Sequence, residues 1–301
     1  MICTAQKGRT SKKIVVVRIQ GGLGNQLFQY AAGVGLTEQL GAELLVDTSG
    51  FINYPLRKYH LSDLSRFAQD WGLGRPTQGL AGRMRMARQS STPQFILKHA
   101  RILIHQERFF HYKPIPDWFK NAIYLDGFWQ SPKYFASVAE RIRSLYDPSQ
   151  YISKEESTLA DSLSSTASVA IHVRRGDYIS DAETCQIHGV IGTEWYRYAV
   201  DLARRIDPAL QLHVFSDDPA EARQIFDGFV GIEFHPPRSE WADLKLMASC
   251  RHRIIANSTF SWWAAWMATS GYSIAPRNWF SREKLLNTSI IDLCPQGWLL
   301  V

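Results

Sequence analysis

Several features that would assign a class at once are missing from this chain. No apolar run approaches the roughly 20 residues of a membrane-spanning helix. The four cysteines, Cys3, Cys185, Cys250 and Cys294, stand far apart and show no paired metal spacing. A chain of 301 residues also needs no disulfide framework to hold a core, so reduced thiols are expected. No D-x-D occurs, and no two histidines stand at i, i+4. The converging carboxylates that hard cations require are therefore not expected. No long Lys/Arg block suggests a nucleic-acid tail. Neither a nucleophile elbow nor an internal repeat at a fixed period is present. Residues Met1 to Lys13 lack the apolar centre of a signal peptide and read as a frayed lead-in.

What is present is an ordinary globular composition, 45% apolar, with a net charge of +6 and a pI near 9.1. So mild an excess suits an anionic small molecule or an anionic membrane surface as well as nucleic acid. Strand-like and helix-like patterns alternate along the chain. Ile14–Ile19 is a short buried strand, a helix ends near Gly41, and Glu43–Val46 is the next strand, ending at Asp47. Residues 48–120 carry aromatics, Pro and Gly breaks and scattered arginines (Arg83, Arg85, Arg88, Arg101), and read either as a solvated face or as a basic surface turned to a membrane. Ile123–Leu125 is a strand, and Ser131-Pro132 opens a helix that runs to about Arg143. The polar, Ser-rich stretch from Tyr146 to Ser168 reads as a domain boundary. Strands are then expected at 169–174, 212–215, 232–234, 254–256 and 272–275, with helices between them. One of these helices carries Trp195, Ala199, Leu202 and Ile206 on one face. The pattern predicts an α/β protein with two Rossmann-like domains facing across a cleft. Residues 1–150 form the first and 151–301 the second.

The chain is organised around Val169-Ala170-Ile171-His172-Val173-Arg174-Arg175-Gly176-Asp177. The apolar residues at 169, 171 and 173 take one face; Ala170, His172 and Arg174 take the other. Ligands in α/β sheets bind beyond the carboxyl ends of strands, and arginines there suit an anion. The other reading is a structural ion-pair cluster with Asp177 neutralising an arginine. Gly21-Gly22-Leu23-Gly24-Asn25-Gln26, after the first strand, is either a tight turn or a place where a ligand meets a helix N-terminus. As a dinucleotide fingerprint it is incomplete, because Leu27 stands at the third glycine, although Asp47 occupies the ribose-binding place. Asn257-Ser258-Thr259 forms an anion site or an ordinary helix N-cap. Asp217-Asp218 offers acceptors for ligand hydroxyls, or acid at a helix start. Asp243 reads as an acceptor for a purine edge or as a surface carboxylate. Trp262, Trp263 and Trp266 stack on a ligand or fill a core. The C-x-x-H pair Cys185 and His188 reads as chance.

These residues resemble a known family. His172-Val173-Arg174-Arg175-Gly176-Asp177 resembles the H-x-R-R-x-D signature of the α-1,2, α-1,6 and protein-O-fucosyltransferase superfamily. Three further blocks resemble glycosyltransferase family eleven: Gly21 to Tyr30, Phe128-Trp129-Gln130-Ser131-Pro132-Lys133-Tyr134-Phe135, and Asn257 to Trp263. They stand in the family's order over residues 14–280. The resemblance implies a GT-B fold, with GDP-β-L-fucose held by the second domain and the acceptor by the first. It also implies inverting, metal-independent transfer of L-fucose to the 2-hydroxyl of a terminal β-galactoside, with no cofactor. By resemblance Arg174, Asp177 and Asn25 are catalytic, with Arg174 holding the β-phosphate and Asn25 facing the reaction centre. His172 and Asp243 contact the guanosine, and Gly24, Arg175, Asp217, Asp218, Asn257, Ser258, Thr259 and Ser261 complete the donor site. No motif fixes a general base. With no stem or anchor before Ile14, the expectation is a bacterial cytoplasmic enzyme making a surface glycan such as an O-antigen. Its partners are then a glycan or lipid-linked acceptor and, peripherally, the membrane, with no nucleic acid. The rivals are an NAD-dependent oxidoreductase built on Gly22, Gly24 and Asp47, and a non-catalytic anion-binding protein.

Overall fold

The structure is a computed structural model that describes residues 12–51, 57–64, 75–76, 102–107, 110–176, 186, 189–281 and 289–301. Arg83, Arg85, Arg88, Arg101, Asp177, Cys185 and His188 lie outside the described residues.

Short runs of β-branched and aliphatic residues with no polar alternation need burial on both faces, and parallel sheets supply it. β1 (Ile14–Arg18), β2 (Glu43–Asp47), β3 (Arg75–Pro76), β4 (Ile102–Gln106) and β5 (Ala122–Asp126) form one parallel sheet in the order β3-β2-β1-β5-β4. β6 (Ser168–Val173), β7 (Gln211–Ser216), β8 (Ile232–Phe234), β9 (His252–Ile254), β10 (Ser273–Ala275) and β11 (Leu299–Leu300) form the other, also parallel, in the order β11-β10-β9-β6-β7-β8. The described helices are α1 (Leu23–Leu40), α2 (Ala139–Leu145), α3 (Lys154–Ser165), α4 (Thr193–Ile206), α5 (Pro219–Ile225), α6 (Glu240–Ser249) and α7 (Thr259–Met267). Two helix-flanked parallel sheets make the α/β, GT-B type architecture expected from the sequence.

The differences are local. The Ser-rich stretch from Tyr146 to Ser168, for which no helix was expected, holds α3. Its first turn is fixed by a capping box, in which Ser153 accepts from the Glu156 N–H and Glu156 accepts from the Ser153 N–H. Buried Ala160 and Leu163 supply its apolar stripe. The helix after Ser131-Pro132 begins as a 3-10 turn with a break at Phe135 before α2. In α4 the buried face is Tyr196, Ala199, Val200 and Ala203, and Ile206 is exposed. β9 begins two residues before the apolar run, because Arg253 sits inside the strand. Its guanidinium is buried but donates to Ser273 Oγ and to the carbonyls of Cys250, Arg251 and Ser270, which offsets the cost of burying the charge.

The tryptophan block fills a core, and the core it fills joins the two sheets. Trp262 and Trp263 of α7 are wholly buried. They meet Phe28 of α1 at ring-centroid distances of 4.4 and 4.9 Å. Phe135 stacks on Trp263 at 5.4 Å, and Tyr146 meets it edge-on at 5.3 Å. Packed aromatics carry the largest apolar area per residue. Trp263→Ala should therefore lower unfolding stability by about 3–5 kcal/mol in urea denaturation followed by circular dichroism. A loss below about 1 kcal/mol would mean that the joint between the sheets does not rest on this ring.

Candidate active site

The carboxyl ends of β1, β6, β7 and β9 open onto one cleft of about 630 Å³. Each strand end contributes a piece. β1 delivers Arg18 and the Gly21–Asn25 turn, β6 His172 and Arg174, β7 Ser216 and Asp217, and the segment after β9 Asn257, Ser258 and Thr259. Arg57, Arg238, Glu240 and Asp243 close the sides.

Two helices start at this cleft, and neither start is capped by a side chain. Gly22 precedes α1 and has no side chain to give. Ser258 holds the N-cap position of α7, but its hydroxyl makes no capping bond. The positive ends of both helices are thus left for a ligand. They approach so closely that a Cβ on Gly24 would lie 2.5 Å from the Phe260 nitrogen and from the Thr259 carbonyl carbon. Trp263 Nε1 donates to the Gly24 carbonyl at 2.9 Å. Asn25 Oδ1 accepts from Thr259 Oγ1 (3.0 Å) and from Gln130 Nε2 (2.9 Å), tying both halves together on the cleft wall.

Arg174 is held by Asp217, with Nη1 3.0 Å from Oδ2. The other carboxylate oxygen accepts the Arg175 backbone N–H at 2.9 Å. Gly176 leaves room for this clamp, since a Cβ there would sit 2.5 Å from Asp217 Oδ2. His172 lies beside the pair, almost wholly buried, with Nδ1 unbonded. Burial pushes its pKa down to about 4; the Asp217 carboxylate draws it back up and Arg174 presses it lower. The imidazole is therefore neutral near pH 7. Asp243, in the first turn of α6, moves the other way. Burial raises it to about 6 against the pull of the Arg238 N–H and guanidinium, and its Oδ1 is buried without a partner. Among the described residues the lining holds four arginines (Arg18, Arg57, Arg174, Arg238) against three carboxylates (Asp217, Glu240, Asp243), with Arg18 also paired to Asp126 at 3.0 Å behind the wall. With two helix N-termini added, the cleft favours an anion.

Comparison with known proteins agrees with this chemistry. Residues 94–298 match the model of Glycosyl transferase family 11. An alpha-1,2-colitosyltransferase of Escherichia coli is 31% identical over 96% of this chain and 99% of its own. The chain belongs to glycosyl transferase family 11. A galactoside alpha-(1,2)-fucosyltransferase 1 of Plecturocebus brunneus is 31% identical over 48% of this chain and 42% of its own. At the level of fold, a mutant of Arabidopsis thaliana FUT1 in complex with GDP superimposes with a TM-score of 0.51 at 12% identity, covering 92% of this chain and 74% of that one.

Within this glycosyltransferase the cleft brings together Gly24, Asn25, His172, Arg174, Asp217, Asp243, Asn257, Ser258 and Thr259. Three other residues expected there lie off it. Arg175 turns inward beneath the motif, buried, 3.6 Å from Glu221 and over the Tyr196 ring. Asp218 caps α5 by accepting the Glu221 N–H. Ser261 is wholly buried and donates to the Ser258 carbonyl. The carboxylate that neutralises Arg174 is Asp217, just past the end of the neighbouring strand, while Asp177 lies outside the described residues. Asp47 does not reach a ligand. It is buried and accepts from Tyr124 Oη (2.6 Å) and the Ser49 N–H (2.9 Å), which removes the residue on which a dinucleotide reading relied. Arg18, Arg57 and Arg238 were not anticipated. The position of Arg18 at the last residue of a buried strand was the one available signal; Arg57 and Arg238 lie in loops without a periodic pattern.

The buried imidazole makes stability depend on pH. An unfolded histidine protonates near 6.5, whereas His172 resists protonation down to about 4. Between those values the unfolded chain binds the extra proton, so His172 makes stability fall as pH drops, by about 1.4 kcal/mol per unit below 6.5. Asp243, raised from 3.8 to about 6, works in the opposite sense over part of that range, so the whole-protein slope mixes signs. The difference between wild type and His172→Gln isolates one group. The variant should lose less stability than the wild type between pH 6.5 and 4.5, measured by urea unfolding at each pH, and parallel curves would refute the assignment.

Proposed function

We propose that the protein transfers L-fucose from GDP-β-L-fucose, with inversion and without a metal, to the 2-hydroxyl of a terminal β-galactoside, forming an Fucα1-2Gal linkage in a surface glycan. The observation that carries this reading is the meeting of Arg174 with two uncapped helix starts at one cleft. That arrangement offers fixed positive charge to a diphosphate. The α-1,2 linkage in the names of both relatives supports the regiochemistry.

The residues divide the work. The donor half is residues 151–301 and the acceptor half 1–150. Asp243 accepts from the N–H groups on the guanine edge, which suits its buried, unbonded Oδ1. Neutral His172 meets the nucleoside without adding charge. Arg174, Ser258, Thr259 and the N–H groups at the start of α7 hold the diphosphate. As the glycosidic bond breaks, the sugar gains oxocarbenium character and GDP gains negative charge. Arg174 and the helix dipoles then bind more strongly, which lowers the barrier. Asn25, held by Gln130 and Thr259, faces the reaction centre from the acceptor side. Asp217 orients Arg174, and its two oxygens are already engaged by Arg174 and the Arg175 N–H, so it is poorly placed to serve a cation. No described helix is long and apolar enough to cross a membrane. We assign the reaction to the cytoplasm, where a lipid-linked acceptor would bring the enzyme to the inner face of the membrane.

A second reading follows from a relative matched across nearly the whole chain, an alpha-1,2-colitosyltransferase: the sugar transferred is colitose. Colitose is L-fucose without its 3-hydroxyl, and a site built to hydrogen-bond that hydroxyl would reject it strongly. Parallel incubation with GDP-fucose and GDP-colitose, over lactose, Galβ1-3GlcNAc and Galβ1-3GalNAc, tests both, with products read by mass and linkage. A fucosyl product linked α1-2 supports the first reading. A colitosyl product alone replaces it with the second, and hydrolysis or no transfer removes both.

Turnover should persist in excess EDTA, and a loss restored specifically by Mn²⁺ or Mg²⁺ would sink metal independence. Arg174→Ala should lower kcat by roughly 10²-fold or more, the scale of losing one oxyanion-type donor. Arg174→Lys keeps the charge but loses the paired geometry, so it should rescue little. A folded Arg174→Ala variant with normal kcat and only a raised donor KM would assign the leaving-group role to the start of α7.

A further inference from the structure

Strand pairing brings together three side chains that no sequence spacing links. His213 of β7 stands opposite Glu233 of β8 in the parallel ladder. His235 follows on the same side as Glu233, and its backbone N–H continues the ladder to the Val214 carbonyl at 2.9 Å. His213 Nδ1 lies 3.1 Å from His235 Nε2 and 3.4 Å from Glu233 Oε2. One ligand atom from each of the three residues falls within 4.8 Å of the other two. Both imidazoles are buried, and Phe215 lies flat on the His235 ring at 4.5 Å and 12°, which fixes its orientation. Two ring nitrogens and a carboxylate oxygen thus converge on one point.

We infer that His213, Glu233 and His235 form a binding site for a divalent cation of the zinc class. Two imidazole nitrogens and one carboxylate oxygen are a donor set that Zn²⁺ takes, with water as the fourth ligand. Bonds of about 2.0–2.1 Å in a tetrahedron place ligand atoms roughly 3.4 Å apart, close to the separations of 3.1 and 3.4 Å found here. The Glu233 side chain is 60% exposed, so a cation reaches the buried nitrogens past it without opening the sheet. None of the three lines the cleft. The cation is therefore a structural element beside the transferase site, compatible with turnover in EDTA. The chain runs from His235 through Pro236 to Pro237 and Arg238 on the cleft wall, so the bound ion anchors that segment to the sheet.

The test uses the full chain, stripped with EDTA and desalted, and titrated with Co²⁺ as a visible probe and then with Zn²⁺. The site predicts one Co²⁺ per chain with the d–d bands of four coordination, displaced by Zn²⁺. Zn²⁺ should also raise the Tm and slow amide exchange at Arg238. Glu233→Ala removes an exposed ligand with little risk to folding, and should weaken Co²⁺ binding at least 10-fold and abolish the Tm shift. His235→Gln should do the same. Binding that is unchanged in Glu233→Ala, a six-coordinate spectrum, or no binding at one equivalent would overturn the assignment.

Discussion

The start of α1 and the start of α7 press against each other at Gly24, and the site depends on that contact. The approach leaves no space for a single methyl group between Gly24 and the backbone of Thr259 and Phe260. It is locked by the Trp263 indole N–H on the Gly24 carbonyl and backed by the aromatic packing of Phe28 against Trp262 and Trp263. Because the helices meet at their N-termini, their dipoles add at one place instead of cancelling. Asn25 then extends the contact into the cleft through Thr259 and Gln130. Core packing and anion chemistry are in this way the same feature seen from its two sides.

The remaining charges are arranged by strand order. β6 and β7 are neighbours in register, with Val173 beside Ser216, so the residues just past their ends, Arg174 and Asp217, meet without any insertion of chain. The carboxylate steadies the guanidinium while leaving it on the cleft wall. The second arginine of the motif turns inward to Glu221 and Tyr196. One arginine of the pair thus faces the cleft and the other supports the loop, a division set by which face of the strand end each occupies.

Much of this was legible from the residues. The aliphatic run at 14–17 and the alternating run at 169–174 both read as strands, and the glycine-rich turn after the first and the Arg174-Arg175-Gly176 segment of the second marked where a ligand would sit. The alternation at 169–174 put His172 and Arg174 on the cleft side, where the structure has them. What stayed hidden depended on contacts between distant segments. The role of Asp217 followed from sheet order, which adjacent aspartates do not encode. Asp218 looked equivalent to it, yet one residue further on it became a helix cap. Asp47 looked like a ribose ligand until Tyr124, across the sheet, took its oxygen. The polar composition of 146–168 concealed a helix because its capping box carries more weight than its few apolar residues. His213 and His235 were invisible for the same reason as Asp217: adjacency across a ladder leaves no spacing to read.

The uncapped helix starts have an evolutionary corollary. Main-chain N–H groups survive every substitution except proline, so the positive ends of α1 and α7 at the cleft lie largely beyond the reach of point mutation. The side chains around them do not. A lineage can therefore change the side chains that line the cleft, and with them the ligand it selects, while the anion-favouring backbone persists throughout. A colitosyltransferase and a fucosyltransferase both resemble this chain, a spread of specificity that such a division between constant backbone and variable side chain would permit.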